Sequence, residues 1–216
     1  MIRKDPSVRI PVGGVIVEGN LNVPDGARGV VLFAHGSGSS RFSPRNQYVA
    51  KVFNDNKIAT LLFDLLTNEE DQQDAETGEF RFNIDLLAER LVGATKWLKQ
   101  EPQIKNCLFG YFGASTGAAA ALIASAKLPG EIAAVVSRGG RPDLASPYLA
   151  RVAAPTLLLV GGLDAEVIEL NKWAMEQMPA EKQLVIVPGA THLFEEPGKL
   201  EEVAKLSTEW FLRFLK

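Results

Sequence analysis

A serine becomes a useful nucleophile only when a base removes its proton, and this 216-residue chain holds just two histidines, His35 and His192. The serine that stands out is Ser115, in Gly113-Ala114-Ser115-Thr116-Gly117. It matches the G-x-S-x-G pattern of a nucleophile set on a strained turn between a strand and a helix. Glycines two residues either side permit the close backbone approach that such a turn needs. With 19 glycines in the chain the pattern alone has an appreciable chance rate, so its context must carry the assignment. The bland alternative is a run of small residues that lets a helix pack closely on a strand.

Two further residues supply that context. Asp164 follows the apolar run Pro155 to Val160 and the turn Gly161-Gly162-Leu163, which places it just past a strand end, where a carboxylate can hold an imidazole in one tautomer and stabilise its charged form. Its simpler role is to cap the helix that Ala165-Glu166-Val167 begins. His192 sits in Gly189-Ala190-Thr191-His192-Leu193-Phe194, after the last strand-like run and before the last helical one. A loop histidine is ordinarily structural or solvent-facing. Here its place last in the order Ser, Asp, His favours a general base.

A third stretch, Phe33-Ala34-His35-Gly36-Ser37-Gly38-Ser39-Ser40, reads as a strand running into a glycine-rich loop. Backbone N–H groups of Ser37 and of Thr116, the residue after the nucleophile, are the expected oxyanion donors. His35 is expected to pin the loop rather than act as a second base. The loop lacks the third glycine of a dinucleotide-binding turn and the Gly-Lys-Ser/Thr ending of a P-loop, and no cluster of metal-ligating residues is evident. Arg41, Arg45, Arg81, Arg138 and Arg141 are candidates for gripping a substrate carboxylate, Arg138 being best placed because it ends a strand. Pairing of Arg138 with a structural acid such as Asp143 is the competing reading.

These residues need a scaffold that brings strand ends together. Apolar runs at Gly29 to Ala34, Ile58 to Asp64, Cys107 to Phe112, Ile132 to Ser137, Pro155 to Val160 and Leu184 to Pro188 predict buried strands. Helical spacing of apolar residues occupies Asn46 to Asn54, Asn83 to Lys99, Ser115 to Lys127, Ala165 to Gln177 and Lys199 to Leu215. Alternation of this kind predicts an α/β protein: a mostly parallel sheet with helices on both faces and its site at the carboxyl ends of the strands. Val8 to Val23, broken at Gly13-Gly14, predicts an antiparallel pair at one edge. The acidic stretch Thr67 to Glu79 follows a strand end and is a candidate rim for the site's mouth, a solvated loop being the favoured alternative.

Size and composition fit one domain over residues 1–216. A net charge of −3 without a basic cluster argues against nucleic acid as partner. The uncharged stretch Asn106 to Ala126 is long enough to cross a bilayer, but Gly110, Gly113 and Gly117 divide it into strand, turn and helix, so no membrane span is expected. A lone cysteine, Cys107, and a charged beginning without an apolar stretch point to the cytoplasm. Cys107 is expected to be inert core. Only Gly139 to Ala154 separates the strand after the elbow helix from the next, room for one short helix and no large lid.

Taken together, His35-Gly36-Ser37-Gly38-Ser39-Ser40, Gly110 to Gly117, Gly161-Gly162-Leu163-Asp164 and Thr191-His192 make the chain resemble the dienelactone hydrolase family of the α/β hydrolases, over nearly its whole length. The resemblance implies an α/β-hydrolase fold with a central sheet of about eight strands, no cofactor, and Ser115, Asp164 and His192 at the triad positions. Dienelactone hydrolases proper use a cysteine nucleophile where this chain has Ser115. The expectation is therefore a serine carboxylesterase or lactonase acting on small soluble substrates. A thioesterase or acyltransferase with the same triad, and a noncatalytic binding protein of the same fold, are the rival readings.

Overall fold

The computed structural model describes residues 6–216. The chain begins with Ser7–Val12 (β1) and Val15–Asn22 (β2), an antiparallel hairpin closed by Gly13 and Gly14 at φ +56° and +84°. Both turn residues occupy the left-handed region, where a side chain would clash with backbone. Buried and exposed residues alternate strictly along β1, so one face of this edge meets the core and the other meets water.

The parallel strands follow a different rule. Gly29–Ala34 (β3), Ile58–Phe63 (β4), Leu108–Ala114 (β5), Ile132–Arg138 (β6), Thr156–Gly161 (β7) and Lys182–Val187 (β8) complete an eight-stranded sheet in the order β1-β2-β4-β3-β5-β6-β7-β8. β3, β4 and β7 are buried at every position, as strands covered on both faces must be. β2 joins β4 antiparallel, and the remaining pairings are parallel. The two extended segments predicted from Val8 to Val23 are thus the antiparallel edge.

Helices cover both faces. Pro44–Asp55 (α1) and the last helix, Lys199–Phe214, pack on one side, where Phe33, Phe53, Phe112 and Phe211 form a ring cluster with centroids 4.9–5.9 Å apart. On the other side lie Ile84–Leu98, Thr116–Lys127 and Ala165–Gln177 with a short 3-10 helix, Pro142–Arg151. The 3-10 helix fills the connection that has room for no large lid. In chain order the helices after α1 are Asn68–Thr77 (α2), Ile84–Leu98 (α3), Thr116–Lys127 (α4), Ala165–Gln177 (α5) and Lys199–Phe214 (α6).

One sequence expectation is overturned. The acidic stretch expected as a solvated loop contains α2. Thr67 and Glu70 form a reciprocal capping box, Glu69, Glu70 and Asp71 crowd the positive end of the helix, and Gly78 closes it at φ +68°. Only Asp74 of its residues is buried. The helix is held by its caps and charges rather than by an apolar stripe, so apolar spacing gives no sign of it.

Candidate active site

Parallel register fixes where the functional loops start. Ala34 pairs with Gly113, Ala114 with Arg138, Arg138 with Leu159, and Gly161 with Val187. The strands therefore end on one edge, and the segments carrying Ser37, Ser115, Arg138, Asp164 and His192 leave the sheet side by side.

The elbow is tight. Ser115 has φ +51° and ψ −120°, left-handed backbone for a residue with a side chain, and such strain is characteristic of a nucleophile held at a strand-to-helix turn. A Cβ on Gly113 would lie 2.4 Å from the Ala118 Cα, and one on Gly117 would lie 2.1 Å from the Ala34 carbonyl oxygen. Both glycines are thus required for close approach. Ser115 is also tied to the turn after β6, its N–H donating to the Arg138 carbonyl (3.2 Å) while its own carbonyl accepts from Arg141 N–H (3.2 Å).

That turn reaches the histidine. His192 Nδ1–H donates to Asp164 Oδ2 over 2.7 Å, which leaves Nε2 as the basic nitrogen. A Cβ on Gly139, at φ +52°, would sit 3.4 Å from His192 Cε1, so the imidazole lies against the backbone that holds Ser115. Asp164 and His192 meet because their loops are stitched together: Leu163 N–H donates to the Ala190 carbonyl (2.9 Å), and Gly162 N–H to the Val187 carbonyl (2.8 Å). Asp164 occupies the N-cap position of α5, yet its side chain makes no capping bond. Its carboxylate is given to the imidazole instead. Ser115 Oγ makes no hydrogen bond among the described residues.

The loop after β3 lies against the nucleophile, since a Cβ on Gly36 would come within 3.1 Å of Ser115 Cβ. Ser37 N–H donates to Thr116 Oγ1 at 3.1 Å. The two residues expected to supply oxyanion donors are thus in contact, with one of the two N–H groups engaged by the neighbouring hydroxyl. His35 uses both ring nitrogens on backbone: Nδ1–H donates to the Gly36 carbonyl (3.0 Å) and Nε2 accepts from Leu65 N–H (3.0 Å). Burial pushes its pKa down, outweighing the Gly36 carbonyl and the fields of Asp64 and Asp71. It is a neutral pin for the loop.

Four of the five candidate arginines are paired with acids. Arg41 binds Asp64 and Glu18, Arg45 binds Glu195, Arg81 binds Asp74, and Arg141 binds Asp143. Asp143 is therefore not the partner of Arg138. Arg138 is 7% exposed, its Nε and Nη1 have no acceptor among the described residues, and Arg45 is the charged group that acts on it. Burial, with repulsion from Arg45, pushes its pKa down to about 10, so it stays charged near neutral pH.

Three residues given no role from the sequence shape the site. Gly139, at φ +52°, lets the turn after β6 approach the His192 carbonyl, which a Cβ would meet at 3.1 Å. Gly161 lets β7 pass the histidine loop, because a Cβ there would lie 2.5 Å from the carbonyl oxygens of Ala190 and Thr191. Glu196 braces that loop by accepting from Thr191 N–H (3.1 Å) and Thr191 Oγ1 (2.6 Å). The Thr191 hydroxyl is the main cause that holds the Glu196 carboxyl below its usual range. Their signal lies in long-range proximity, which spacing along the chain does not reveal. A cavity of about 340 Å³ adjoins the loop after β3, lined by residues including Ser39, Arg41, Phe42, Asp64 and Asp71. None of Ser115, Asp164 or His192 lines it. Cys107 is half-buried with its thiol pushed up by burial, in keeping with an inert side chain.

A family model described as the dienelactone hydrolase family matches residues 23–216. The chain belongs to that family. A crystal structure of a dienelactone hydrolase from Anabaena variabilis is 57% identical, covers 99% of each chain and superposes with a TM-score of 0.97. Est1E from Butyrivibrio proteoclasticus shares the fold at a TM-score of 0.81 and 15% identity, covering 96% of this chain and 98% of its own. Two curated Mycobacterium tuberculosis proteins, provisionally named phosphoribosyl transferases, are 55% identical over 212 residues. The match takes in 98% of this chain and 47% of theirs, so the chain spans about half the length of those relatives. As a dienelactone hydrolase family member the chain is an enzyme of the hydrolase kind with an α/β-hydrolase fold. No helix among the described residues is long and apolar enough to cross a membrane.

Proposed function

We propose that the chain is a serine hydrolase of small carboxylic esters or lactones, working through an acyl-enzyme on Ser115. The observation that carries this reading is the 2.7 Å bond from His192 to Asp164, made by a histidine lying against the same turn that ties down Ser115. Ser115 Oγ attacks the carbonyl carbon while His192 Nε2 takes its proton. The oxyanion is met by the N–H groups of Ser37 and Thr116. His192 returns the proton to the leaving alkoxide, and a water activated by the same nitrogen releases the acid. Asp164 keeps Nδ1 protonated and stabilises the imidazolium.

Arg138 is proposed as the anchor for a carboxylate on the substrate, since a guanidinium can hold it through two parallel hydrogen bonds. Its unpartnered N–H groups support that role. A single domain over residues 1–216, acting in the cytoplasm on soluble molecules without nucleic acid, metal or cofactor, completes the proposal. Phosphoribosyl transfer, the activity in the name of the mycobacterial relatives, is not part of this proposal, because the match takes in 47% of those proteins.

The test is covalent labelling. A fluorophosphonate should add one group, at Ser115, and Ser115→Ala should abolish both labelling and hydrolysis of a chromogenic acetate ester while the fold persists. Labelling at another residue, or full activity in the alanine variant, would overturn the assignment. Alcohol and thiol acceptors added to the same assay separate a hydrolase from an acyltransferase by their products.

A further inference from the structure

Thr116 brings to the oxyanion loop a side chain that the mechanism above leaves unused. It is 4% exposed, and among the described residues its hydroxyl has two hydrogen-bond partners: Ser37 N–H at 3.1 Å and Ser37 Oγ at 3.0 Å. Ser37 Oγ has one other acceptor within range, the Arg81 carbonyl, at a long 3.4 Å. A hydroxyl has one proton and two lone pairs, and it turns without moving its oxygen. The cluster therefore has two proton arrangements. In one, Thr116 donates to Ser37 and Ser37 donates to Arg81. In the other, Ser37 donates to Thr116 and the Thr116 proton is free to point elsewhere.

The direction in which it can point is set by the Ser37 amide. Thr116 Oγ1 stands in front of that N–H, and an oxyanion accepting from the same N–H and from Thr116 N–H would be the hydroxyl's immediate neighbour. We propose that the Thr116 hydroxyl is a third donor to the oxyanion formed on Ser115, with the Ser37 hydroxyl supporting it; this deepens, and rests on, the esterase reading. As the Ser115 Oγ–carbon bond forms, the carbonyl π pair moves to oxygen and the serine proton passes to His192 Nε2. Ser37 Oγ–H swings from the Arg81 carbonyl to Thr116 Oγ1, Thr116 Oγ–H turns to the oxyanion, and Ser37 N–H, which donates to Thr116 Oγ1 at rest, is shared between that oxygen and the oxyanion. Neither hydroxyl gains or loses a proton overall. The chain of two hydroxyls polarises each in turn, strengthening the terminal bond made by the buried Thr116.

A hydrogen bond made to charge that appears only in the transition state lowers kcat when removed and leaves KM largely alone. Thr116→Val keeps shape and deletes the hydroxyl. It should lower kcat for a chromogenic acetate ester by about 100-fold, and weaken inhibition by a trifluoromethyl ketone, whose hemiketal carries the same oxyanion, by a similar factor. Thr116→Ser should restore most of both, and Ser37→Ala should cause a smaller loss that is not additive with Thr116→Val. Wild-type kcat in Thr116→Val, a change confined to KM, or a fall in kcat with unchanged trifluoromethyl ketone affinity would overturn the third donor. A wild-type enzyme that neither hydrolyses esters nor takes a fluorophosphonate on Ser115 would instead overturn the esterase reading, and the third donor with it.

Discussion

A Cβ built on Gly139 would lie 3.1 Å from the His192 carbonyl oxygen and 3.4 Å from its ring Cε1, so this glycine both occupies left-handed backbone and sets the resting place of the imidazole. Gly139 follows Arg138, whose carbonyl accepts from Ser115 N–H. One short turn thus indexes the histidine to the serine.

Gly139→Ala should accordingly separate activity from folding. The left-handed conformation costs a residue with a Cβ about 1–2 kcal/mol, and the 3.1 Å approach to the His192 carbonyl oxygen pushes the histidine loop away from the turn that ties down Ser115. We expect a modest fall in melting temperature with a disproportionate loss of kcat for a chromogenic acetate ester. Unchanged kcat with the same fall in stability would remove Gly139 from the site.

Asp164→Asn tests the orienting role directly. An amide in place of the carboxylate no longer stabilises an imidazolium and can donate to Nδ1, which fixes the wrong tautomer. On the proposed mechanism kcat falls by roughly 10⁴-fold. Loss of α5 helicity with little loss of activity would return Asp164 to the capping role that its position suggests.

His35 predicts acid sensitivity of the fold. Its pKa is lowered in the native protein, chiefly by burial, so below the ordinary imidazole range near pH 6.5 the unfolded chain binds a proton that the folded chain does not. Stability attributable to His35 is therefore full above that range and is lost progressively as pH falls through it. His35→Asn should be less stable than wild type at pH 7.5, and the gap should narrow at pH 5.5 in urea unfolding. An equal gap at both values would contradict a buried neutral imidazole.

Arg138 makes a two-sided prediction. A buried guanidinium without a partner opposes folding, so Arg138→Met should leave thermal stability unchanged or raise it. If Arg138 anchors a carboxylate, the same change should raise KM for an anionic ester about 10-fold or more, while the KM of its neutral methyl-ester counterpart holds. Equal losses on both substrates, or a large fall in melting temperature, would make Arg138 structural.

Much of this protein is legible in local pattern. Fully apolar runs such as Gly29–Ala34 and Thr156–Gly161 announce strands buried on both faces, and the glycines around Ser115 announce the elbow, because those features depend on residues a few positions apart. The order Ser115, Asp164, His192 along the chain, read with the strands before each, already places them on one edge of a parallel sheet. Tertiary structure alone decided which side chain each of them meets. Whether Asp164 caps α5 or holds His192 turns on a contact across 28 residues, and whether Ser37 N–H is free or engaged by Thr116 turns on one across 79. Asp143 pairs with Arg141, while Arg138 is buried with Nε and Nη1 unpartnered and Arg45 as the charge that acts on it. The helix α2 escaped the apolar pattern because its caps and charges hold it. Periodicity records which face of an element is buried, whereas pairing among polar groups is settled by rotamers and loop closure, to which a linear pattern has no access.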